Sequence, residues 1–166
     1  LWVLTTDPPH KTSQDITQLD PRTEMLKLAL AEAPQFALSY VDIQRPPPHY
    51  AVDTMQLLRI EYPHARLVYL MGGDSLSDLP TWMRPEEFIH SCDEIGVMLR
   101  PGREVDLYSL DRTLPGIKDK VRFIQAPLLD ISSSILRAKI ALHGPYRYYL
   151  LPPVHDYIER CQLYGR

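Results

Sequence analysis

The stretch RLVYLMGGDSLSDLPTW, residues 66–82, decides the fold of this 166-residue chain. It opens with a near-continuous apolar run over residues 66–71, which is typical of a strand covered on both faces of a sheet. Gly72 and Gly73 follow directly and allow a close backbone approach or a positive φ, and Asp74 stands where a helix would begin. A strand that passes through a glycine turn into a helix is the building unit of a parallel α/β sheet.

Similar patterns lie on both sides of this stretch. Apolar or alternating runs predict further strands over residues 1–6, 36–43, 94–99 and 121–126. Helical spacing and capping residues predict helices over residues 20–32, 50–62, 132–142 and 152–164, and the first has Asp20 as N-cap and Pro21 in its first position. Residues 102–119 are interpreted only as a connection.

This alternation of strands and helices predicts an α/β fold with a Rossmann-like parallel sheet and flanking helices. A chain of this length can bury roughly 70% of its unfolded surface in one core. We therefore expect a single domain over residues 1–166.

The composition excludes several classes of function. With 18 Lys and Arg against 21 Asp and Glu, the formal net charge is −3, and no basic stripe is present to bind nucleic acid or a membrane surface. The sequence contains no run of about 18 apolar residues, which a membrane-spanning helix would need. Cys92 and Cys161 lack CxxC spacing, which argues against a disulfide framework or a metal site and favours a reducing, cytoplasmic location. The sequence leaves a homo-oligomer open.

The chain begins with LWVLTT, an apolar run typical of a strand interior, without an initiating Met or a leading polar segment. We expect that part of the natural N-terminus precedes this sequence. The alternative is a processed or trimmed chain that is otherwise whole.

Ligands of a parallel α/β sheet bind beyond the carboxyl ends of its strands, so the loops after residues 6, 71, 99 and 126 are the candidate sites. The last of these loops leads into ISSSILR, residues 131–137, where Ser132 is the expected N-cap of a helix. The first turns hold hydroxyls and then Arg137, instead of the acids that the positive end of a helix favours. Backbone N–H groups, hydroxyls and a guanidinium together would bind phosphate.

A purely structural interpretation of ISSSILR is favoured when this motif is taken alone. Ser132 would cap the helix, Ser133 and Ser134 would be solvated, and Arg137 would pair with Asp130. The motif needs support from elsewhere in the chain.

The glycine turn at residues 72–74 offers that support, although its residues also have two interpretations each. Asp74 is either a helix N-cap or a carboxylate that accepts hydrogen bonds from a ribose. Trp82 is either a core residue, which composition alone favours, or a flat wall for an aromatic ring.

Several motifs then occur together: PPHK (8–11), HYAVDTMQLLRIEYP (49–63), YLMGGDSLSDLPTW (69–82), LRPG (99–102), ISSSILR (131–137) and YLLPPVHDYI (149–158). In this order and approximate spacing, the chain resembles bacterial nicotinate-nucleotide adenylyltransferases over nearly its whole length. The resemblance implies membership of the nucleotidyltransferase superfamily. It also implies adenylyl transfer from ATP to nicotinate mononucleotide in NAD biosynthesis, with Mg2+, giving deamido-NAD and pyrophosphate.

The resemblance also implies roles for particular residues. ISSSILR matches the box of the family that holds the ATP phosphates, so Ser132, Ser133 and Arg137 are the implied catalytic residues, and Ser134 replaces the usual Thr. Gly72 and Asp74 match residues that contact riboses, Trp82 matches a tryptophan that stacks on the nicotinate ring, and Tyr50 lies in the matching Ser-Tyr-Thr segment. The implied substrate-binding residues are Lys11, Tyr50, Gly72, Asp74, Trp82, Arg100 and Ser134. No metal ligand is implied.

Two departures from the family bear on activity. Ala51 and His49 replace the Thr and Ser of Ser-Tyr-Thr, so recognition of the nicotinate carboxylate would rely more on backbone groups. The GGxFDPxHxGH segment, whose histidines stabilise the charge on the transferred phosphoryl group, is absent from the 166 residues, and His10 lies outside any HxGH pair. We therefore expect little or no turnover from the chain as written.

Two other classes of function stay open at this point. One is a non-catalytic nucleotide-binding relative. The other is a sister adenylyltransferase that acts on nicotinamide mononucleotide or phosphopantetheine. A purely structural module is disfavoured because polar groups suited to one nucleotide follow three predicted strands.

Overall fold

The computed structural model describes residues 1–6, 17–99, 104–127 and 131–165. Two compact units are present, one formed by Leu1–Pro46 with Ile131–Arg166 and the other by Pro47–Asp130. The expectation of one domain stays a prediction. In chain order the elements are β1 (Trp2–Val3), α1 (Leu19–Leu30), β2 (Leu38–Ser39), α2 (Ala51–Glu61), β3 (Val68–Gly72), α3 (Gly73–Asp78), α4 (Pro85–Ser91), β4 (Glu94–Met98), α5 (Leu107–Thr113), α6 (Ile117–Lys120), β5 (Val121–Phe123), α7 (Ser133–Ala141) and α8 (Pro152–Arg160).

The unit of residues 47–130 contains a three-stranded parallel sheet in the order β3-β4-β5. In its register Leu70 lies opposite Gly96, and Gly96 lies opposite Arg122. The centre of its core is β4, because Ile95 and Val97 are both fully buried. The α/β prediction with parallel strands is confirmed.

The prediction that β3 is covered on both faces is wrong. Val68 and Leu70 are 43% and 59% exposed, whereas Met71, which points the other way, is buried. On the exposed face, the side chains of Leu70 and Ile124 lie over Gly96, where a Cβ would be 2.6 Å from Leu70 Cδ2. An apolar run therefore indicated a strand here but not how many of its faces are buried.

The unit that holds both chain ends has a shorter sheet, in which β1 and β2 pair in parallel with Trp2 opposite Leu38. Its core consists of Ile140, Tyr146, Val154 and Ile158, which come from α7, α8 and the connection between them. From α1, the side chains that pack against this core are Met25, Leu28 and Ala29.

Both predicted strands of this unit, 1–6 and 36–43, are much shorter than expected, with two residues each. After β1, the carbonyl oxygens of Thr5 and Thr6 accept hydrogen bonds from the Arg22 guanidinium at 2.7 and 3.0 Å, so a side chain takes the place of a neighbouring strand. After β2, the Gln44 N–H donates to the Tyr40 carbonyl, which closes a turn.

Two further boundaries differ from the prediction. The N-cap of α1 is Gln18 instead of Asp20, which lies in the first turn, and the helix ends at Leu30. The N–H groups of the first helical turn have no partner within the helix, so proline, which has no N–H, is tolerated anywhere in that turn. Pro21 therefore indicates the first turn of α1 but not its first residue. The final helix, α8, ends at Arg160, earlier than predicted.

The stretch interpreted as a connection over residues 102–119 contains α5 and part of α6. Asp106 is the N-cap of α5, and its carboxylate accepts hydrogen bonds from the N–H groups of Tyr108 and Ser109. No helix within the described residues is long and apolar enough to cross a membrane.

Candidate functional site

The glycine turn after β3 is closely packed by side chains at Gly73. A Cβ on Gly73 would lie 2.8 Å from Leu99 Cδ2 and 3.5 Å from Val105 Cγ2, whereas a Cβ on Gly72 would meet only the Met98 carbonyl oxygen, at 4.0 Å. Gly72 has φ −82°, so this turn does not need the positive φ that two adjacent glycines allowed. The close approach falls on Gly73, which the sequence analysis did not name as a site residue.

Asp74 is in the first turn of α3 and is exposed. The N-cap of α3 is Gly72, and no side chain caps this helix, so the interpretation of Asp74 as the N-cap is wrong. Asp74 lines a cavity of about 300 Å³ at the carboxyl end of β3, and the rest of the lining comes from Gly73, Ser77, Asp78, Glu104 and Val105. An exposed carboxylate beside such a cavity can accept hydrogen bonds from the hydroxyls of a sugar.

Trp82 belongs to an aromatic cluster and is only half-buried, so the expectation of a core residue is wrong. Its ring centroid lies 5.3 Å from that of the fully buried Phe88 and 6.2 Å from that of Tyr69. Tyr69 and Phe88 pack edge to face at 4.9 Å. The cluster holds the indole from one side and leaves part of its surface able to contact a flat ring.

Tyr50 is the N-cap of α2 in extended conformation, and Ala51 is the first helical residue, close to the predicted start at residue 50. The Tyr50 carbonyl oxygen accepts hydrogen bonds from the N–H groups of Asp53 and Thr54 and from the Thr54 hydroxyl. His49 is buried. The segment that replaces Ser-Tyr-Thr is therefore an ordered helix start.

The start of α7 agrees with the prediction for ISSSILR. Ser132 is the N-cap, its hydroxyl oxygen accepts a hydrogen bond from the Ile135 N–H at 3.2 Å, and no acid lies in the first turn. Ser133, Ser134 and Arg137 are exposed. Residues four and three positions apart share a face of a helix, so Arg137 lies on the same side as the two serines.

Arg137 forms no ion pair with any residue of the described chain. The proposed alternative partner, Asp130, lies outside the described residues, as do Lys11, Arg100 and His10. Their predicted roles are therefore left as predictions.

The structure groups the predicted site residues by unit. Tyr50, Gly72, Asp74 and Trp82 all belong to the unit of residues 47–130. The predicted phosphate ligands Ser132, Ser133, Ser134 and Arg137 all belong to the other unit. Most of these residues lie at or next to the start of a helix, whereas Trp82 lies between α3 and α4.

Cysteine and metal chemistry have no clear place among these residues. Cys92 and Cys161 are both free, and burial raises the pKa of the Cys92 thiol to about 12, which leaves it protonated near neutral pH. No group of three or more His, Cys, Asp or Glu side chains in the described parts of the chain is arranged to hold a metal ion.

Comparison with known proteins decides the family. Residues 1–139 match the model of the cytidylyltransferase-like family. A probable nicotinate-nucleotide adenylyltransferase from Thermomicrobium roseum is 46% identical over 157 residues, which are 95% of this chain and 73% of the relative. The nicotinate-nucleotide adenylyltransferase of Bacillus subtilis is 34% identical over 158 residues, covering 95% of this chain and 77% of the relative. The chain belongs to the nicotinate-nucleotide adenylyltransferase family.

Solved structures agree on the fold. Plasmodium falciparum nicotinic acid mononucleotide adenylyltransferase complexed with NaAD superposes with a TM-score of 0.73 at 18% identity, over 98% of this chain and 80% of the other. The same enzyme complexed with APC gives 0.69 at 19% identity. The predicted family and the α/β nucleotidyltransferase fold are both confirmed, and this member of the nicotinate-nucleotide adenylyltransferase family is a nucleotidyltransferase by descent.

Proposed function

We propose that this protein transfers the adenylyl group of ATP to nicotinate mononucleotide, giving deamido-NAD and pyrophosphate. The observation that carries the proposal is the end of β3, where the close-packed glycine turn places Asp74 at a cavity and a half-buried Trp82 follows ten residues after Gly72. The names of the relatives support the same reaction, since the Bacillus subtilis protein is a nicotinate-nucleotide adenylyltransferase.

The reaction needs no nucleophile from the protein. An oxygen of the mononucleotide phosphate attacks the α-phosphorus of ATP in line, a new phosphorus–oxygen bond forms, and the bond to the bridging oxygen breaks with its electron pair leaving on pyrophosphate. Catalysis then consists of positioning the two phosphates and stabilising the charge that develops on them.

Each unit has a proposed part in this positioning. Asp74 accepts hydrogen bonds from a ribose, Trp82 stacks on the nicotinate ring, and Gly72 and Tyr50 border the nucleotide through their backbone. Ser132, Ser133, Ser134 and Arg137 bind the ATP phosphates at the start of α7, where backbone N–H groups and the helix dipole also favour an anion. Lys11 and Arg100 are proposed to bind the substrate phosphates.

Mg2+ is proposed to enter with ATP. Since the described residues contain no cluster of three metal-ligating side chains, the phosphate oxygens and water would supply most of its ligands, as is usual for Mg2+ on nucleotides. A cytoplasmic location is a further prediction of the same proposal, and a homo-oligomer stays open.

The proposal is tested by calorimetric titration of the chain with four ligands: ATP, nicotinate mononucleotide, nicotinamide mononucleotide and phosphopantetheine. We expect binding of ATP and of nicotinate mononucleotide, with weaker binding of the amide. Tighter binding of phosphopantetheine than of nicotinate mononucleotide would overturn the proposal in favour of a sister adenylyltransferase.

A pyrophosphate-release assay addresses catalysis separately from binding. We expect little turnover from the 166 residues alone and a large increase when a segment with the GGxFDPxHxGH motif precedes Leu1. Ordinary turnover from the 166 residues would contradict the role given to the histidines of that motif.

A further inference from the structure

Arg84 connects the aromatic cluster around Trp82 to the first turn of α2. Its guanidinium forms an ion pair with the carboxylate of Asp53, 31 residues earlier in the chain, and a second one with Glu87 at 3.2 Å. The Asp53 and Arg84 side chains are 31% and 37% exposed, so the pair is partly shielded from water. The hydrogen bond to Asp53 raises the pKa of Arg84.

Both members of the pair lie next to a proposed nicotinate-binding residue. Arg84 follows Trp82 by two residues and is the N-cap of α4, where its carbonyl oxygen accepts a hydrogen bond from the N–H of Phe88 at 3.0 Å. The Phe88 ring in turn packs on Trp82. Asp53 lies in the first turn of α2, and its N–H donates to the carbonyl oxygen of Tyr50.

The backbone at Arg84 also indicates that this arrangement is held by its surroundings. Arg84 has φ 51° and ψ 58°, in the left-handed region that a residue with a Cβ rarely adopts. Such a conformation persists where the neighbouring contacts over-determine it. Here those contacts are the two ion pairs of the guanidinium and the cap hydrogen bond to Phe88.

We propose that Arg84 is a positioning residue: through its ion pair with Asp53, it fixes the Trp82 ring relative to the first turn of α2. Arg84 itself does not touch the substrate. It keeps the indole and the Tyr50–Ala51 helix start in the arrangement that accepts a planar pyridine ring. This inference rests on the proposed function for its ligand, and on the ion pair and the aromatic cluster for its geometry.

The test uses variants that separate this role from a general loss of one ion pair. Arg84→Asn removes the guanidinium but tolerates the left-handed backbone, Arg84→Lys keeps the charge, and Asp53→Asn removes the partner charge. The control is Arg59→Asn, because the Arg59–Asp93 pair in the same unit has similar exposure, 36% and 42%, and lies at the amino end of β3, where Asp93 accepts a hydrogen bond from the Leu67 N–H. All variants carry Trp2→Phe, so that Trp82 is the only fluorescent tryptophan.

Two readouts are measured on the full chain. The first is the fluorescence anisotropy of Trp82 without ligand, and the second is the Kd of nicotinate mononucleotide and of ATP from titration. We expect Arg84→Asn and Asp53→Asn to lower the anisotropy and to weaken nicotinate mononucleotide binding roughly three- to tenfold, with the Kd of ATP changed less than about twofold. The double variant Arg84→Asn with Asp53→Asn should bind nicotinate mononucleotide no more weakly than the weaker of the two single variants. Arg84→Lys should keep most of the affinity of the parent protein. Arg59→Asn should change neither readout.

The outcomes separate this inference from the proposed function. If Arg84→Asn leaves both the anisotropy and the Kd of nicotinate mononucleotide unchanged, or if Arg59→Asn has the same effects, the positioning role is wrong while the proposed function stands. If the parent protein does not bind nicotinate mononucleotide, the proposed function fails, and the anisotropy of the ligand-free variants alone decides whether Arg84 positions Trp82.

Discussion

Two helices begin at the predicted binding loops, and they begin in opposite ways. The start of α3 has glycine at the N-cap, no capping side chain and an acid, Asp74, in its first turn. The start of α7 has Ser132 as a capping side chain, no acid in its first turn and an exposed Arg137. The first is shaped by how closely the backbone can pack, and the second by hydroxyls and charge.

This difference predicts different failures at the two helix starts. A side chain added at the buried Gly73, the first residue of α3, must be accommodated among neighbouring side chains, so it should reduce the free energy of unfolding. At the start of α7, Ser133, Ser134 and Arg137 are exposed, so removing these side chains should mainly weaken the binding of phosphate, whereas the Ser132 hydroxyl also caps the helix. The four predictions below test that contrast, beginning with the largest expected effect.

Substitution of Gly73 by Val should destabilise the fold by about 2 kcal/mol, because Gly73 is buried: the Leu99 Cδ2 atom, 2.8 Å from the new Cβ, can turn away, but the two methyl groups of valine must also be accommodated. Gly72→Val is the matched control and should change the free energy of unfolding by less than about 1 kcal/mol, because a Cβ there meets only the Met98 carbonyl oxygen, at 4.0 Å. Urea unfolding followed by circular dichroism measures both. Equal effects of the two substitutions would show that close packing does not distinguish these glycines.

Replacement of Arg137 by Gln should weaken ATP binding roughly tenfold at low salt, about 1.4 kcal/mol, because a charge-assisted contact to phosphate is lost. The free energy of unfolding should stay within about 0.5 kcal/mol, because Arg137 is exposed and forms no ion pair in the described chain. Titration at two salt concentrations checks this, since the loss should shrink as salt screens the contact. An unchanged affinity at low salt would remove Arg137 from the phosphate site.

Loss of the cap hydroxyl in Ser132→Ala should cost about 1 kcal/mol of stability, because the Ile135 N–H loses its acceptor. Ser133→Ala, one residue later and exposed, should change stability by less than about 0.5 kcal/mol while still weakening ATP binding. Thermal unfolding and ATP titration of the pair separate capping from ligand binding. If Ser133→Ala leaves the Kd of ATP unchanged, the solvated interpretation of that hydroxyl is correct.

The smallest effect is expected from Ser134→Thr, which restores the residue usual in the family. The hydroxyl is kept, and the added methyl group lies on an exposed position, so both the Kd of ATP and the stability should change by less than about 0.5 kcal/mol. The measurements are the same titration and melting curves. A gain in ATP affinity of tenfold or more would mean that the methyl group itself contributes to the phosphate site.

Local signals in the sequence predicted some parts of the structure well. The cap at Ser132, the start of α2 after Tyr50 and the strand β4 are each marked by a pattern of residues close together in the chain, and each was predicted to within one or two residues. The glycine pair predicted a special turn, and of the two glycines it is Gly73 that side chains approach closely.

Features that depend on distant partners could not be predicted in this way. Beyond the short strand β1, Arg22 bonds the carbonyl groups of Thr5 and Thr6 where strand pairing was predicted, and nothing in LWVLTT indicates that contact. The Asp53–Arg84 ion pair joins residues 31 positions apart. Trp82 packs on Phe88 and Tyr69 but is only partly buried, and composition could not distinguish this arrangement from full burial in the core.

The central claim is that the two helix starts serve different parts of one reaction, the nicotinate ring near α3 and the ATP phosphates at α7. A crossed titration tests it most directly: the Kd of nicotinate mononucleotide and the Kd of ATP are measured for the parent chain, Trp82→Leu and Arg137→Gln. We predict that Trp82→Leu weakens the binding of nicotinate mononucleotide roughly tenfold and the binding of ATP less than about twofold. For Arg137→Gln we predict the reverse: the binding of ATP weakens roughly tenfold, and the binding of nicotinate mononucleotide weakens less. The claim would be contradicted if both variants lost affinity equally for both ligands, or if neither variant lost affinity for either ligand.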